Sequence, residues 1–339
     1  MEEPSLNSYR IKEGDYTIGN FIGKGAFGTV YQCLFNNSQI TMKQLHPFNS
    51  VEEMHAFISE MEIFSTIKHP CCSKLIGFEL PNITIVDGKK VYPPASHTET
   101  GDELPREWGA RIFTPYYPNG TLANFLMNYV TGASQDLCYY NTILMRSFYG
   151  IIRSLKYLHS KGIGHNNITP ENILFDSNGY PIIISIGHFY LGPLLFLAPE
   201  ALECDPITFK GNAQFKANIY SYGLLLYECF NLNSAYTCST DILKIPSYPD
   251  YPLPIETFDV FKDCKKNAFI PEKLDNIPDG LWERIILPCL NKDPQNRPTA
   301  EEITQIFEDD LDNLIDDIDF NLFEQYQEYI ETGEAKIEG

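Results

Sequence analysis

Between Tyr16 and Leu45, short runs rich in Val, Ile, Thr and Tyr alternate with Gly-rich and Asn-rich turns, a punctuation that predicts a three-strand β-meander. Ser50 with Glu53 three residues later is a capping-box start, and Met54, Phe57, Ile58, Met61, Phe64 and Ile67 then recur at helical spacing. One amphipathic helix is predicted there, ending before Pro70. Residues 79–110 mix Pro, Gly and charged residues with a few β-type patches and read as an enlarged loop between two strands. Beyond Thr121 the periodicity lengthens to helical stretches over 121–130, 141–162 and 217–231. A β-rich half followed by a helical half is an α+β arrangement, with its boundary near Pro118 to Gly120. Toward the end, Phe307, Leu311, Leu314, Ile315, Ile318, Leu322, Tyr326, Tyr329 and Ile330 step by three and four between Asp and Glu. This predicts a single acidic amphipathic helix, which either buries its stripe on the helical half or docks a basic partner.

Composition narrows the picture. With 339 residues and 43% hydrophobic content, the chain can bury one large two-lobed domain or two ordinary ones. The net charge is −20, of which residues 301–339 supply −13, with 14 acidic side chains against Lys336 alone. Nucleic acid and anionic membranes are thereby disfavoured as partners, since both are bound through Lys and Arg. No apolar run approaches the roughly 20 residues that span a bilayer, and a soluble, cytoplasmic protein is expected. Nine cysteines (33, 71, 72, 138, 204, 229, 238, 264 and 289) show no Cys-x-x-Cys spacing, so free thiols are expected and neither disulfides nor zinc. The adjacent Cys71 and Cys72 read as core filling.

Several short blocks carry more. Gly23, Gly25 and Gly28 stand at Gly-x-Gly-x-x-Gly spacing with Val30 two residues on, between predicted strands and with no helix following. Lys43 closes Ile-Thr-Met-Lys, and Glu60 lies on the first predicted helix. Phe113-Thr114-Pro115-Tyr116-Tyr117, the block from His165 to Asn172 (HNNITPEN), Ala198-Pro199-Glu200 and Arg297 before Pro298 follow in order. Taken together, residues 16–307 resemble a protein kinase domain, most closely of the tyrosine-kinase-like group. That resemblance implies a small antiparallel β-sheet N-lobe with one helix over 16–118, and a larger, mainly helical C-lobe over 119–307. It leaves residues 1–15 as an N-terminal extension and 308–339 as the acidic helix or tail. It also implies an ATP site of Gly23, Gly25, Gly28, Val30, Thr41, Lys43, Glu60, Thr114, Pro115, Tyr117 and Leu174, with Thr114 as gatekeeper and the Pro115 carbonyl facing a purine amino group. Phe64 and His165 fill packing positions of the family. Lys43 and Glu60 also fit a purely structural ion pair between helix and sheet.

Four departures set the chain apart. Asn167 stands where the family has its catalytic aspartate, and a carboxamide does not take up a proton. Ser185-Ile186-Gly187 stands for Asp-Phe-Gly, so of the two usual metal ligands only Asn172 remains, a weak one. Asn166 replaces the arginine that grips a phosphorylated activation loop, and Thr169 replaces a catalytic-loop lysine. The segment from Ser185 to Glu200 is short and apolar, with Pro193 and, after Ser185, Tyr190 as its sole hydroxyl side chain. Asn218 replaces an aspartate of the central helix, a change that keeps an acceptor. The expectation is a pseudokinase that binds ATP with weak or no Mg²⁺ dependence and serves protein partners as scaffold or allosteric regulator. The alternative is an active Ser/Thr kinase with a relocated carboxylate, Asp176 or Glu171.

Overall fold

The computed structural model describes residues 5–25, 28–81, 84–86, 89–91, 96–104, 107–130, 136–186, 196–202, 209–231 and 270–333. The chain divides into two compact units, Met1–Lys68 with Ser73–Tyr116, and His69–Cys72 with Tyr117–Gly339. The first is an antiparallel sheet with one helix and the second is mainly helical, the two-lobed kinase architecture.

In the first unit β1 (Tyr16–Gly25), β2 (Gly28–Phe35) and β3 (Ser38–Leu45) form the meander. With β4 (Gly77–Glu79) and β7 (Arg111–Pro115) they make a five-stranded sheet of order β1-β2-β3-β7-β4. Tight reversal at Asn36 and Asn37, both at positive φ, joins β2 to β3, a conformation that asparagine tolerates better than most residues. The region 79–110 holds a further hairpin, β5 (Thr84–Val86) with β6 (Lys89–Val91). Helix α1 (Val51–Ser65) starts at Ser50, whose Oγ accepts the Glu53 N–H at 3.1 Å. The Glu53 carboxylate reaches one residue further back than a reciprocal box requires, accepting the Asn49 N–H at 2.7 Å. Phe57, Met61 and Phe64 are buried along this helix, with Phe57 edge-on to Phe78. On its other side the sheet packs Ile18, Cys33, Ile40, Met42 and Phe113 with Leu104 and with Ile11. Ile11 belongs to the N-terminal extension, which is thus built into the core: its N–H donates to the Phe78 carbonyl at 2.9 Å.

A polar cluster inside this unit escaped the hydrophobic pattern. Gln44, Arg111 and Glu79 are register neighbours across β3, β7 and β4. The fully buried Arg111 donates to Gln44 Oε1 (2.8 Å), Tyr16 Oη (2.6 Å), Glu79 Oε2 (3.2 Å) and Ser96 Oγ (2.8 Å), and its guanidinium lies over Trp108. Tyr16 in turn donates to Glu79 at 2.6 Å, and burial raises the carboxyl pKa of Glu79 against the pull of these donors. Breaking such a pair strands its partner, so Arg111→Met is expected to destabilise this unit by about 3–5 kcal/mol, and Arg111→Met with Glu79→Leu by distinctly less. Urea denaturation of the three proteins measures the difference.

The second unit is built on α3 (Leu137–Ser160) and α4 (Asn212–Phe230), preceded by α2 (Leu122–Val130). Helix α3 begins four residues earlier than the periodicity indicates because Asp136 caps it, accepting the Tyr139 N–H at 3.0 Å. The short strands β8 (Ile173–Phe175) and β9 (Pro181–Ile183) pair, and Cys72 bridges to Ile183, drawing residues 69–72 into this unit. The run Asp279–Leu281, Trp282–Ile286 and Leu287–Cys289 packs against α4 through a helical stretch whose middle is a π-turn.

The single terminal helix expected from the sequence is corrected by the structure. Helix α5 (Ala300–Asp310) leads into a 3₁₀ turn at Leu311–Asn313, and α6 (Phe320–Thr332) begins only after a break. Aspartates are weak helix formers and strong caps: Asp317 takes φ 54°, and Asp319 Oδ1 caps the Leu322 N–H at 3.0 Å. Asn141 and Thr142 of α3 pin the connection by bonding the Asp316 carbonyl (3.3 Å) and the Asp319 N–H (2.8 Å). Leu314, Ile315, Ile318, Phe323, Tyr326 and Ile330 are nevertheless all buried, so the stripe folds back on its own unit while Glu324, Glu328 and Glu331 face outward.

Among the described residues, Cys33, Cys71, Cys72, Cys138, Cys229 and Cys289 are free thiols, and no helix is long and apolar enough to cross a membrane. Cysteines 204, 238 and 264 lie outside the described residues.

Candidate functional site

Of the nucleotide-type residues, Gly23, Gly25, Gly28, Val30, Thr41, Lys43, Glu60, Thr114 and Pro115 lie in the first unit, and Tyr117 and Leu174 in the second. Gly23 pairs with Val30 and Gly25 with Gly28 across the β1–β2 turn, whose tip, residues 26–27, is outside the described set. Only Gly28 is required by the sheet itself, because a Cβ there would sit 2.1 Å from the Gln44 carbonyl oxygen. At Gly23 and Gly25 a Cβ would meet no described atom within 4 Å. Val30 faces Lys43 in the β2–β3 register, and Lys43 faces Ile112 in β7. Glu60 is buried on α1 and acts electrostatically on Lys43, whose ammonium pKa is lowered by burial and partly restored by that carboxylate. Thr41 is the register partner of Thr114 and donates to the Pro115 carbonyl at 3.4 Å, a long bond to the acceptor that the resemblance assigns to a purine. Tyr117 opens the second unit at its boundary with the first.

The loop His165–Asn172 lies in the second unit. Buried His165 donates its N–H to Asn218 Oδ1 at 2.9 Å, so the asparagine of α4 supplies the acceptor needed here. The His165 ring contacts the Ile184 carbonyl through Nε2 at 2.8 Å, and the Ile184 N–H donates to the Asn172 carbonyl at 2.9 Å. These bonds tie the loop to Ile184, the chain neighbour of Ser185, while Leu174 follows on β8. Asn172 Nδ2 donates to the Asn167 carbonyl (3.0 Å) and to Thr169 Oγ1 (3.2 Å), which occupies Thr169. Asn166, at φ 50°, accepts from Gln214 Nε2 at 2.9 Å. Asn167 is 8% exposed, and its side-chain Oδ1 has no hydrogen-bond partner. Ser185 takes φ 64°. Glu200 and Arg297 form a bidentate ion pair at 2.5 and 3.0 Å, with Arg297 1% exposed.

Over residues 16–307 the chain matches the family model of the protein kinase domain. It belongs to the protein kinase family. Among curated relatives, this kinase domain is 25% identical over 311 residues to mouse dual specificity testis-specific protein kinase 2, covering 86% of the chain and 44% of that protein. It is 24% identical over 320 residues to human mitogen-activated protein kinase kinase kinase 7, covering 90% and 44% respectively. With the probable serine/threonine-protein kinase drkA of Dictyostelium discoideum it shares 24% identity over 326 residues, covering 90% and 42%. The chain thus spans less than half the length of these relatives.

Two carboxylates are relevant to a kinase domain lacking its aspartate at 167. Asp176 Oδ1 accepts the N–H groups of Asn178 and Tyr180, both at 2.9 Å, and closes the β8–β9 turn. Glu171 sits in the 3₁₀ turn Pro170–Asn172. Gly187, Tyr190 and Pro193 fall outside the described residues. Sequence reasoning missed the tie from Asn218 to His159, whose Nε2 lies 3.2 Å from the same Oδ1. The histidine stacks on Phe215 at 4.3 Å, while His69 packs on Tyr157 at 5.1 Å.

Burial pulls both imidazoles down to about 4, assisted at His69 by Arg153. A folded pKa below the unfolded value near 6.5 means that this stability is complete above pH 6.5 and is lost as pH falls toward 4. His159→Gln, which keeps a donor for Asn218, is therefore expected to lose on the order of 1 kcal/mol less stability than the parent between pH 7 and pH 5. Urea denaturation at the two pH values tests it.

Proposed function

We propose that this kinase domain is a pseudokinase, binding a nucleotide weakly with little dependence on Mg²⁺ and working as a scaffold or allosteric regulator in signalling. The observation that carries the reading is Asn167: a buried carboxamide with an unpartnered oxygen stands where the family places its proton acceptor. A carboxamide does not accept the proton of a substrate hydroxyl, and losing a general base lowers rate by about 10²- to 10⁴-fold. Relocation to Asp176 is disfavoured because its Oδ1 already holds two backbone N–H groups. This weakens the alternative of an active Ser/Thr kinase, which the names of the relatives would otherwise suggest.

The residues present fit a nucleotide better than its metal. Lys43, balanced by Glu60, offers a buried cation to phosphate, and the open space at Gly23 and Gly25 leaves the main chain at those two positions approachable by phosphate oxygens. Asn172 and Ser185 offer only neutral oxygens where Mg²⁺ favours charged ones. A protein partner with a basic surface would meet the outward acids of α6, since the apolar stripe of that helix is already covered. Buried free thiols accord with the reducing cytoplasm.

The test is thermal unfolding with ATP, with and without Mg²⁺, beside a labelled-phosphate transfer assay. At ATP tenfold above its Kd the expected stabilisation is about 1.4 kcal/mol, surviving chelation and abolished by Lys43→Met, with no measurable transfer. Robust Mg²⁺-dependent autophosphorylation that Lys43→Met eliminates would sink the proposal.

A further inference from the structure

Within the helical unit alone lies a cavity of about 450 Å³, in the size range of small-molecule sites. The ends of α3 and α4 and the first turn of α5 line it together with His69. Two features of its lining point to one class of ligand. The first is aromatic: the packed pairs His69–Tyr157 and His159–Phe215 both reach the cavity, offering flat, weakly polar walls. The second is charge. Arg153, Lys156 and Lys216 line it against the single carboxylate of Glu301, an excess of cations in a chain whose net charge is −20.

How these charges are engaged decides whether a ligand can use them. Lys156 pairs with Glu301 at 2.9 Å, but their side chains are 35% and 63% exposed, and such pairs contribute about 0–1 kcal/mol and give way readily to another anion. Lys216 Nζ donates to the neutral Arg297 carbonyl, and the carboxylate that acts on it is Glu302, which does not line the cavity. Arg153 is held by Tyr149 Oη (2.6 Å) and Glu308 (3.0 Å), and serves as a fixed rather than a mobile cation. The positive end of α5, capped by Thr299, adds to the same field. Both histidines are neutral at pH 7, so they act as ring surfaces and not as charges.

We infer that this cavity binds a small aromatic anion, a planar ring bearing a phosphate or carboxylate, with the ring between the aromatic pairs and the anionic group displacing Glu301 from Lys156. Every lining residue belongs to the helical unit, so the site is separate from Lys43 and Glu60 and does not depend on the proposed nucleotide binding.

The test is a heteronuclear NMR titration of the full chain with O-phospho-L-tyrosine, and in parallel with inorganic phosphate and with tyrosine. Saturable shifts confined to His69 and residues 153–160, 212–219 and 299–301 are expected, with phosphotyrosine binding at least about tenfold more tightly than either fragment. Lys156→Glu should weaken binding by about tenfold or more, and Lys156→Gln by less, with thermal unfolding confirming that both variants fold. Lys43→Met should bind as the parent does. The inference is overturned by an absence of shifts, by inorganic phosphate binding as tightly as phosphotyrosine, by unchanged affinity in the Lys156 variants, or by loss of binding in Lys43→Met.

Discussion

Placing aspartate at both 167 and 185 is expected to raise ATP affinity in the presence of Mg²⁺ by at least about tenfold, a gain that chelation of the metal removes. A charged oxygen at 185 would then join Asn172 as a ligand of the kind that a hard cation prefers, while the carboxylate at 167 adds negative charge beside the metal. The backbone accepts the change at 185, because its φ of 64° lies in the left-handed region where Asp is among the better tolerated residues. At 167 the outcome is less benign. Asn167→Asp alone buries a carboxyl whose counterpart Oδ1 in the parent has no donor, so its pKa should rise. A folded pKa above the unfolded value leaves stability intact at acid pH and removes it as pH climbs through that raised value. The single variant should therefore be about 1–3 kcal/mol less stable than the parent at pH 7 and nearly equal to it at pH 4. Calorimetric titration of ATP and denaturation at both pH values give the answer. An ATP affinity indifferent to Mg²⁺ in the double variant would show that the site is organised differently.

A second large effect concerns the way α6 is seated. A Cβ on Gly150 would lie 2.1 Å from Tyr326 Oη, with the ring carbon behind it at 3.2 Å and Pro181 Cγ at 3.0 Å. Gly150→Ala is thus expected to destabilise the helical unit by about 2–3 kcal/mol. Tyr326→Phe removes the offending oxygen along with its 3.2 Å contact to Cys71 Sγ. In that background the same alanine should cost about 1 kcal/mol or less, giving a coupling of about 1–2 kcal/mol between two residues 176 positions apart. A double-mutant cycle by urea denaturation measures it, and strictly additive losses would mean that α6 is not held by this contact. Limited proteolysis offers a second readout, since Gly150→Ala should expose α6 to cleavage and the double variant should protect it again.

Much of the fold was legible because it rests on local rules. The meander over 16–45 follows from β-type runs punctuated by turn residues, and the start of α1 from Ser50 three residues ahead of Glu53. The ordered blocks from Gly23 to Arg297 carried the family, and the substitutions at 167 and 185 are plain in the string itself. Periodicity was misled over 307–330, where apolar residues recur at helical spacing although α5 and α6 are separate helices. Spacing reports which residues are buried, and a turn packed on α3 buries Leu314, Ile315 and Ile318 as well as a helix would. Arg111 gave no signal either. A charged residue in a strand reads as exposed until the register sets Gln44 and Glu79 beside it.

What the linear chain determined by itself was therefore the kinase family, the order of its elements and the loss of two carboxylates, since composition and neighbour spacing act over a few residues. Tertiary structure alone decided that Asn167 has an unpartnered oxygen, that Asp176 is committed to a turn, that Gly150 makes room for Tyr326, and that cations and rings of α3 and α4 line a cavity together with His69. Each of these depends on side chains distant in sequence meeting in space, and only packing can specify that meeting.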